Sequence, residues 1–331
     1  MADRVTPLGD TEGGSPHPRG QTLAAIDLGS NSFHMVVARV MDGQLVIVDR
    51  MKEMVQLGGG LDGERRLAAA TPGRALGCLE RFGQRVRAFP EESVRAVGTN
   101  TLRVARDAGP FLEKARQALG HPIDVISGME EARLIYLGVA HGVGPSDERR
   151  LVVDIGGGST EIVIGTRFSP MDLESLYIGS VAMTLRHFPD GKITAKRFRR
   201  AEVSALQELE RVEKRFRRIG WQGAIGASGT IRAVTAVIHA TAPGRAPGIT
   251  REALRKLRAS VIEAESIDQL ALPGLSRSRA RVFPGGVAIL SAIFESLQVD
   301  EMFLSQSALR EGVLRDLLGR FSHRDVRTTT V

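Results

Sequence analysis

Two carboxylates flank a glycine-rich stretch near the middle of the chain. Asp154 is followed by an isoleucine, the three glycines 156–158, Ser159, a threonine and then Glu161, with apolar runs on both sides. The pattern predicts a strand, a glycine turn and a second strand. Glycine allows a positive φ and a close approach to a ligand, and the N–H groups of such a turn can bind an anion. The carboxylates would repel a phosphate unless a hard cation such as Mg²⁺ lay between them. We therefore predict a metal-assisted phosphate site, with an ordinary tight hairpin as the alternative.

The same layout occurs earlier in the chain. Asp27 ends an apolar run and is followed by one aliphatic residue, Gly29, Ser30 and Asn31, after which a second apolar run begins. Two such loops facing each other across a cleft could hold a phosphate chain from both sides. Because the feature occurs only twice, it indicates a duplicated domain and not a solenoid.

Other phosphate-binding and hydrolytic motifs are absent. The chain contains no G-x-x-x-x-G-K-[ST], no H-E-x-x-H and no G-x-S-x-G, which excludes a P-loop and the common zinc and serine hydrolase signatures. The stretch 156–161 imitates part of G-x-G-x-x-G. However, Glu161 replaces the last glycine, and the following residues are β-branched where a dinucleotide fold needs a helix.

These motifs resemble those of the exopolyphosphatase / guanosine pentaphosphate phosphohydrolase family, which belongs to the actin, sugar-kinase and Hsp70-like fold group. The matching stretches run from about residue 22 to about residue 322 and comprise 27–35, 97–103, 126–135, 154–161, 226–231 and 309–312. The resemblance implies an α/β protein with two RNase H-like (actin-like ATPase type) domains and a ligand cleft between them.

Composition and pattern divide the chain further. We expect a disordered tail over 1–20, a first domain over 21–130, a second over 131–307, a helix over 308–320 that packs back on the first domain, and a tail over 321–331. The predicted strands are 22–28, 33–40, 44–57, 93–98, 122–126, 151–154, 161–165, 173–179, 222–226 and 301–305. The predicted helices are 65–88, 130–142, 195–218, 250–262, 284–297 and 308–318, with further helical segments starting at 101 and after 226.

The start of the helix near residue 130 carries two adjacent glutamates. Ser127 and Glu130 fit a capping box, which leaves Glu131 free, although a glutamate in a first turn also complements the helix dipole. The resemblance implies that Glu131 is the general base and that Arg103 contacts phosphate. It further implies Mg²⁺, with a monovalent cation such as K⁺ as an additional candidate.

The predicted site combines these two sources. The phosphate-binding residues are Gly29, Ser30, Asn31, Arg103, Gly156, Gly157, Gly158, Ser159 and Gly229. Gly229 is included because a glycine turn at a helix N-terminus is an anion site. The metal ligands, acting largely through water, are Asp27, Asp154 and Glu161.

Composition limits the partners. The chain has 331 residues and a net charge of +7, which suits a polyanion. It lacks a basic motif interleaved with aromatics, so we expect a phosphate polymer or a nucleotide and no nucleic acid. No apolar run reaches the roughly 20 residues of a membrane span, and the N-terminus has no apolar signal region. The single cysteine, Cys78, suits a core position in a reducing compartment. We therefore expect a cytoplasmic protein without membrane insertion.

Three further segments allow two interpretations each. The helix 195–218 carries nine Lys and Arg residues and fits a solvated face or a track for a long phosphate chain equally well. For the basic loop 276–281 we favour a solvated loop over a polyanion contact. For the glycines at 58–60 we favour an ordinary loop over a third phosphate site.

The main functional expectation is an exopolyphosphatase, which hydrolyses the terminal phosphoanhydride of inorganic polyphosphate and releases orthophosphate. The alternatives are a guanosine pentaphosphate 5'-phosphohydrolase, a sensor that binds these anions without turnover, and a kinase of the same fold group. Longer family members carry a helical region beyond this point, and the last residues look like a junction. The chain is either a short member or part of a longer one. A homodimer is expected, while chain-length preference and processivity stay open.

Overall fold

The computed structural model describes residues 20–62, 64–67, 70–241 and 248–328. The tail predicted over 1–20 lies almost wholly outside the described residues. The strands are β1 Thr22–Leu28, β2 Ser32–Met41, β3 Gln44–Met54, β4 Val94–Gly98, β5 Ile123–Val125, β6 Arg150–Ile155, β7 Thr160–Thr166, β8 Ser169–Leu176, β9 Gly223–Gly226, β10 Ile249–Thr250 and β11 Glu301–Leu304. The helices are α1 Ala70–Val86, α2 Asn100–Val104, α3 Ala108–Leu119, α4 Gly128–Val143, α5 Ser180–His187, α6 Ala195–Ile219, α7 Gly229–Thr241, α8 Arg251–Glu263, α9 Arg277–Ala280, α10 Phe283–Ser296 and α11 Leu309–Thr328.

The strands form two sheets with the same connectivity. The first has the order β3-β2-β1-β4-β5, and the second has the order β10-β11-β9-β6-β7-β8. In each sheet three consecutive strands form an antiparallel meander, and parallel strands extend its first strand on the other side. The duplication inferred from the two glycine loops is thus present in the strand order, and β10 is an addition to the second sheet.

Side-chain alternation along the strands creates three hydrophobic layers. In β1, Ala24, Ile26 and Leu28 face α1 and α3, whereas Leu23 and Ala25 face a layer that contains α4 and α11. The far face of the second sheet packs on α5–α8 and α10. We call the layer around α4 and α11, which contacts both sheets, the central layer.

The two helices of the central layer cross with almost no side chain between them. A Cβ at Gly138 of α4 would collide with the carbonyl of Ala308, and one at Gly312 of α11 would collide with that of Leu134. The N-terminal ends of both helices therefore reach the space between the sheets. Helix α11 also packs against β1.

Several elements differ from the sequence prediction. Helix α3 was not anticipated, because Gly109 and Pro110 near its start disfavour a helix interior; a proline in the first turn is compatible with helix formation. Helix α11 continues to Thr328, past its predicted end and through most of the predicted tail.

Cys78 is buried among α1 core residues as expected, and burial raises the pKa of its thiol to about 12. The domain boundaries stay a prediction.

Candidate active site

A cleft of about 360 Å³ opens between the two sheets, and both glycine loops line it. We call residues 29–31, which connect β1 to β2, the first loop. Residues 156–159, which connect β6 to β7, are the second loop. Each loop lies at the turn of the antiparallel hairpin in its half, so the duplicated topology itself brings the two loops face to face.

The glycines of the second loop permit contact with the first loop. A Cβ on Gly157 would lie 2.9 Å from the Cβ of Ser30, and one on Gly158 would collide with the Asn100 amide and lie 3.2 Å from Ser30 Oγ. None of the glycines 156–158 has a positive φ. The expectation that they supply left-handed backbone was therefore wrong, and the close approach of the two loops explains them instead.

Neighbouring segments hold the first loop in place. The Gly58 N–H donates to the Ser30 carbonyl at 2.7 Å, and Thr101 Oγ1 donates to Ser30 Oγ at 2.8 Å. The glycines at 58–60 form a short 3₁₀ turn beside this loop. They support the first loop and do not line the cleft, which agrees with the ordinary-loop interpretation favoured above.

Four carboxylates gather beneath the loops, and we call Asp27, Glu131, Asp154 and Glu161 the acidic cluster. Side chains along a strand alternate between the two faces of the sheet. Asp27, Asp154 and Glu161 therefore lie on the sheet faces that also carry residues of the central layer. Burial raises the pKa of Asp27 to about 7. Burial, together with the nearby Glu131, also holds the pKa values of Asp154 and Glu161 well above their usual range.

Glu131 enters the acidic cluster from the first turn of α4. Ser127 Oγ accepts from the Glu130 N–H at 3.1 Å, which confirms Ser127 as the N-cap. The Glu130 carboxylate binds Arg95 and Arg133. Burial raises the pKa of Glu131, and the guanidinium of Arg103, 2.7 Å from Glu131 Oε2, opposes the rise.

Neither Arg103 nor Glu161 lines the cleft. Arg103 Nη1 also donates to the Ile126 carbonyl at 3.0 Å, and Glu161 Oε1 accepts from Ser175 Oγ at 2.8 Å. The phosphate contact assigned to Arg103 stays a prediction, as do the other predicted contacts with phosphate.

The acidic cluster offers an open carboxylate oxygen to a divalent cation. Asp27 Oδ1 is buried and accepts no hydrogen bond, so a lone pair is left for a cation. Within the described ranges, no group of three or more His, Cys, Asp or Glu side chains is arranged to hold an ion by itself. An ion bound partly through water, as predicted, suits both observations.

Four cations line the cleft near His34, and the predicted site contained none of them. We call Lys52, Arg232, Arg279 and Arg310 the basic cluster. The pKa of Lys52 is lowered by burial and by the other three cations. Arg279 lies in α9, within the segment 276–281 that we predicted as a loop, and it lines the cleft, so the solvated-loop interpretation was wrong for this residue. Its guanidinium lies directly over Gly229, so an anion at the start of α7 would also meet Arg279.

The basic side chains of α6, the predicted helix 195–218, lie on a solvated face of that helix. No residue of α6 lines the cleft, and Arg211, Arg215 and Arg217 pair with carboxylates of β8 or of α6 itself. Of the two interpretations left open by the sequence, this geometry favours the solvated one. Within the described ranges, no helix combines the length and apolar character needed to cross a membrane.

Comparison with known proteins agrees with this geometry. The sequence profile of the Ppx/GppA phosphatase family matches residues 36–321. A Vibrio cholerae relative named guanosine-5'-triphosphate,3'-diphosphate pyrophosphatase is 44% identical over 308 residues, which are 93% of this chain and 61% of that protein. The chain thus spans about three fifths of that relative. A Haemophilus influenzae relative, provisionally named an exopolyphosphatase, is 42% identical over 317 residues, which are 95% of this chain and 98% of the relative.

The solved structure of the Ppx/GppA family member from Aquifex aeolicus superposes with a TM-score of 0.74 at 28% identity. The match covers 90% of this chain and 98% of that chain. It confirms the predicted fold class of two actin-like α/β halves with a cleft between them.

Proposed function

The chain belongs to the Ppx/GppA phosphatase family, and we propose that it removes the terminal phosphate of guanosine pentaphosphate by hydrolysis. The observation that carries this proposal is the pair of touching glycine loops with Glu131 buried beside them. The sequence alone favoured inorganic polyphosphate. The name of the Vibrio cholerae relative, at 44% identity, favours the guanosine nucleotide.

In the proposed reaction a water oxygen forms a bond to the terminal phosphorus while the bridging P–O bond breaks. The products are orthophosphate and a chain shorter by one phosphate, whose oxygen departs with the electron pair. The two loops bind the end of the substrate, and Glu131 accepts the proton of the attacking water. A positioned general base contributes about 10²- to 10⁴-fold in rate. Positioning and charge stabilisation supply most of the rest.

Arg103 supports the role of Glu131 as the base. Burial raises the pKa of Glu131 and so favours the protonated form, which cannot take a proton. The positive charge of Arg103, 2.7 Å away, favours the ionised form and fixes the orientation of the carboxylate. Asp27, Asp154 and Glu161 would hold Mg²⁺ largely through water, and the ion when bound would neutralise phosphoryl oxygens.

Inorganic polyphosphate is the second candidate substrate. It is supported by the Haemophilus influenzae relative, which the chain covers almost completely. The basic cluster also suits it, because four cations on one side of the cleft can bind a phosphate chain of any origin.

The test is phosphate release from guanosine pentaphosphate, long-chain polyphosphate and ATP, with Mg²⁺ and with either the wild-type protein or Glu131→Gln. We expect release from the first substrate that is lost in the variant. Release from polyphosphate alone would favour the second candidate. Binding of both polyanions without release from either would contradict an enzymatic role and indicate a sensor.

A further inference from the structure

Arg310 occupies a position that helix stability does not explain. It lies in the first turn of α11 and lines the cleft. A cation there opposes the helix dipole, which favours negative charge at an N-terminus. The next residue, Glu311, meets that preference, because its carboxylate accepts from the Ala308 N–H at 3.0 Å. The placement of Arg310 therefore needs another reason.

The guanidinium of Arg310 is incompletely satisfied. Its Nε is buried and has no hydrogen-bond partner, and its Nη1 donates to His34 Nδ1. Buried donors normally have partners, and leaving one unsatisfied costs free energy. Among the described residues, Arg310 has no carboxylate in an ion pair, in contrast to Arg103 with Glu131. A buried donor on a charged side chain that lines the cleft is suited to bind an anion.

His34 forms a hydrogen bond with the guanidinium of Arg310. Since His34 Nδ1 accepts from Arg310, its Nε2–H donates to Ser32 Oγ at 2.8 Å. Only the neutral imidazole can accept in this way. Burial and the surrounding cations lower the pKa of His34 to about 2, so the ring is neutral under physiological conditions. Ser32 directly follows the first loop, which ties the Arg310–His34 pair to the phosphate-binding region.

Arg310 is also the point where the two clusters meet. Its charge favours the ionised forms of Asp27 and Asp154 in the acidic cluster. The same charge acts on Lys52 and Arg232 in the basic cluster. A phosphate chain lying along the basic cluster with its end between the loops would thus pass Arg310 where the scissile bond lies.

We propose that Arg310 binds the terminal phosphoryl group of the substrate and that His34 is its positioning residue. The inference rests on the proposed phosphoanhydride hydrolysis. It separates two arginines by role: Arg103, which does not line the cleft, orients the base, and Arg310 binds the phosphoryl oxygens within the cleft.

The experiment measures binding without turnover. In the Glu131→Gln protein, the Kd for inorganic tripolyphosphate is determined by calorimetry, alone and with Arg310→Ala, Arg310→Lys or Arg320→Ala added. Arg320 is the matched control, because it lies on the same helix, is largely exposed and pairs with Asp316. We expect Arg310→Ala to raise the Kd about 10- to 100-fold, as for loss of a charge-assisted hydrogen bond. Arg310→Lys should fall between wild type and Ala, and Arg320→Ala should have no effect.

His34 is tested by two substitutions with opposite hydrogen-bonding ability. His34→Phe removes the acceptor for Arg310 and should weaken tripolyphosphate binding, whereas His34→Asn supplies a new acceptor and should restore part of it. A purely structural role would not distinguish them in this way. Equal weakening by both would overturn the assignment of His34.

The outcomes separate this inference from the proposed function. If folded Arg310→Ala protein binds tripolyphosphate as tightly as its parent, Arg310 is not a phosphate ligand, whatever the enzyme does. If Arg310→Ala does not fold, an unchanged Kd in Arg310→Lys leads to the same conclusion. If the wild type releases no phosphate while Arg310→Ala still weakens binding, the proposed function fails and the phosphate contact stands.

Discussion

The acidic and basic clusters lie in one cleft but differ in how their charges are satisfied. The carboxylates of Asp27, Asp154 and Glu161 are buried on strands, and burial raises their pKa values. The cations of the basic cluster come from β3, α7, α9 and α11, and they line the cleft. We infer a division of labour from this difference, in which the acidic cluster carries out the chemistry and the basic cluster binds the phosphates of the substrate.

A change in the loop above the acidic cluster should have the largest effect. Gly158→Ala would force apart the two loops, because its Cβ would collide with the Asn100 amide. We expect kcat/KM to fall about 100-fold, since small displacements at a reacting centre cost that much. Gly59→Ala is the control, because nothing lies within 4 Å of a Cβ there. Similar kinetics in both variants would show that the contact between the loops does not matter.

The acidic cluster should also lower the stability of the fold. In Asp27, burial raises the pKa from 3.8 to about 7, so its charge disfavours the folded state above about pH 4. We expect Asp27→Asn to raise the free energy of unfolding at neutral pH by on the order of 2 kcal/mol. The gain should vanish below about pH 4, where the carboxyl is protonated in both the folded and unfolded states. Urea denaturation at several pH values measures it, and Asp300→Asn, which removes a fully exposed carboxylate, should have little effect.

Loss of a basic-cluster cation should act on binding. Arg232→Ala should raise KM about tenfold and leave kcat nearly unchanged, as for removal of one charge-assisted hydrogen bond. Arg211→Ala on α6 serves as the control, because Arg211 pairs with carboxylates away from the cleft. A drop in kcat with constant KM for Arg232→Ala would contradict the division of labour. A KM effect for Arg211→Ala would revive the polyphosphate track on α6.

The last test concerns Arg103, the cation that pairs with Glu131 of the acidic cluster. Removing Arg103 deletes the interaction that lowers the pKa of Glu131, so this pKa should rise further. Because the base must be deprotonated, the acid limb of the kcat/KM profile should move to higher pH in Arg103→Gln. The pH–rate profile from pH 5 to 9 tests this. An unmoved limb would separate Arg103 from the base.

Local sequence patterns predicted much of this architecture. The meander of β1–β3, the N-cap at Ser127 and the two loops each depend on residues within a few positions of one another, where turn and capping chemistry act. The resemblance of the motifs to a known family then predicted two similar halves with a cleft between them.

Contacts between distant residues could not be predicted in this way. Arg103 and Glu131 are 28 positions apart, and His34 and Arg310 are 276 apart. Nothing in the spacing indicates that either pair meets. The sequence contained a partial signal that Arg310 belongs to the site, because Arg310 lies within the matching stretch 309–312. It also contained one for Lys52, which pairs with His34 across adjacent strands. The roles of the glycines 156–158 also depended on the opposite loop, which the local sequence does not contain.

The crossing of α4 and α11 has a mechanical consequence. Helices usually interlock through side chains, and these ridges and grooves fix the angle between the helix axes. At Gly138 and Gly312 one bare backbone lies on another, so the two helix axes come closer together than side chains would allow. Glu131 and Arg310 are carried at the N-terminal ends of these two helices. A larger residue at Gly138 or Gly312 would push the two helices apart at their crossing and would displace Glu131 and Arg310 relative to each other.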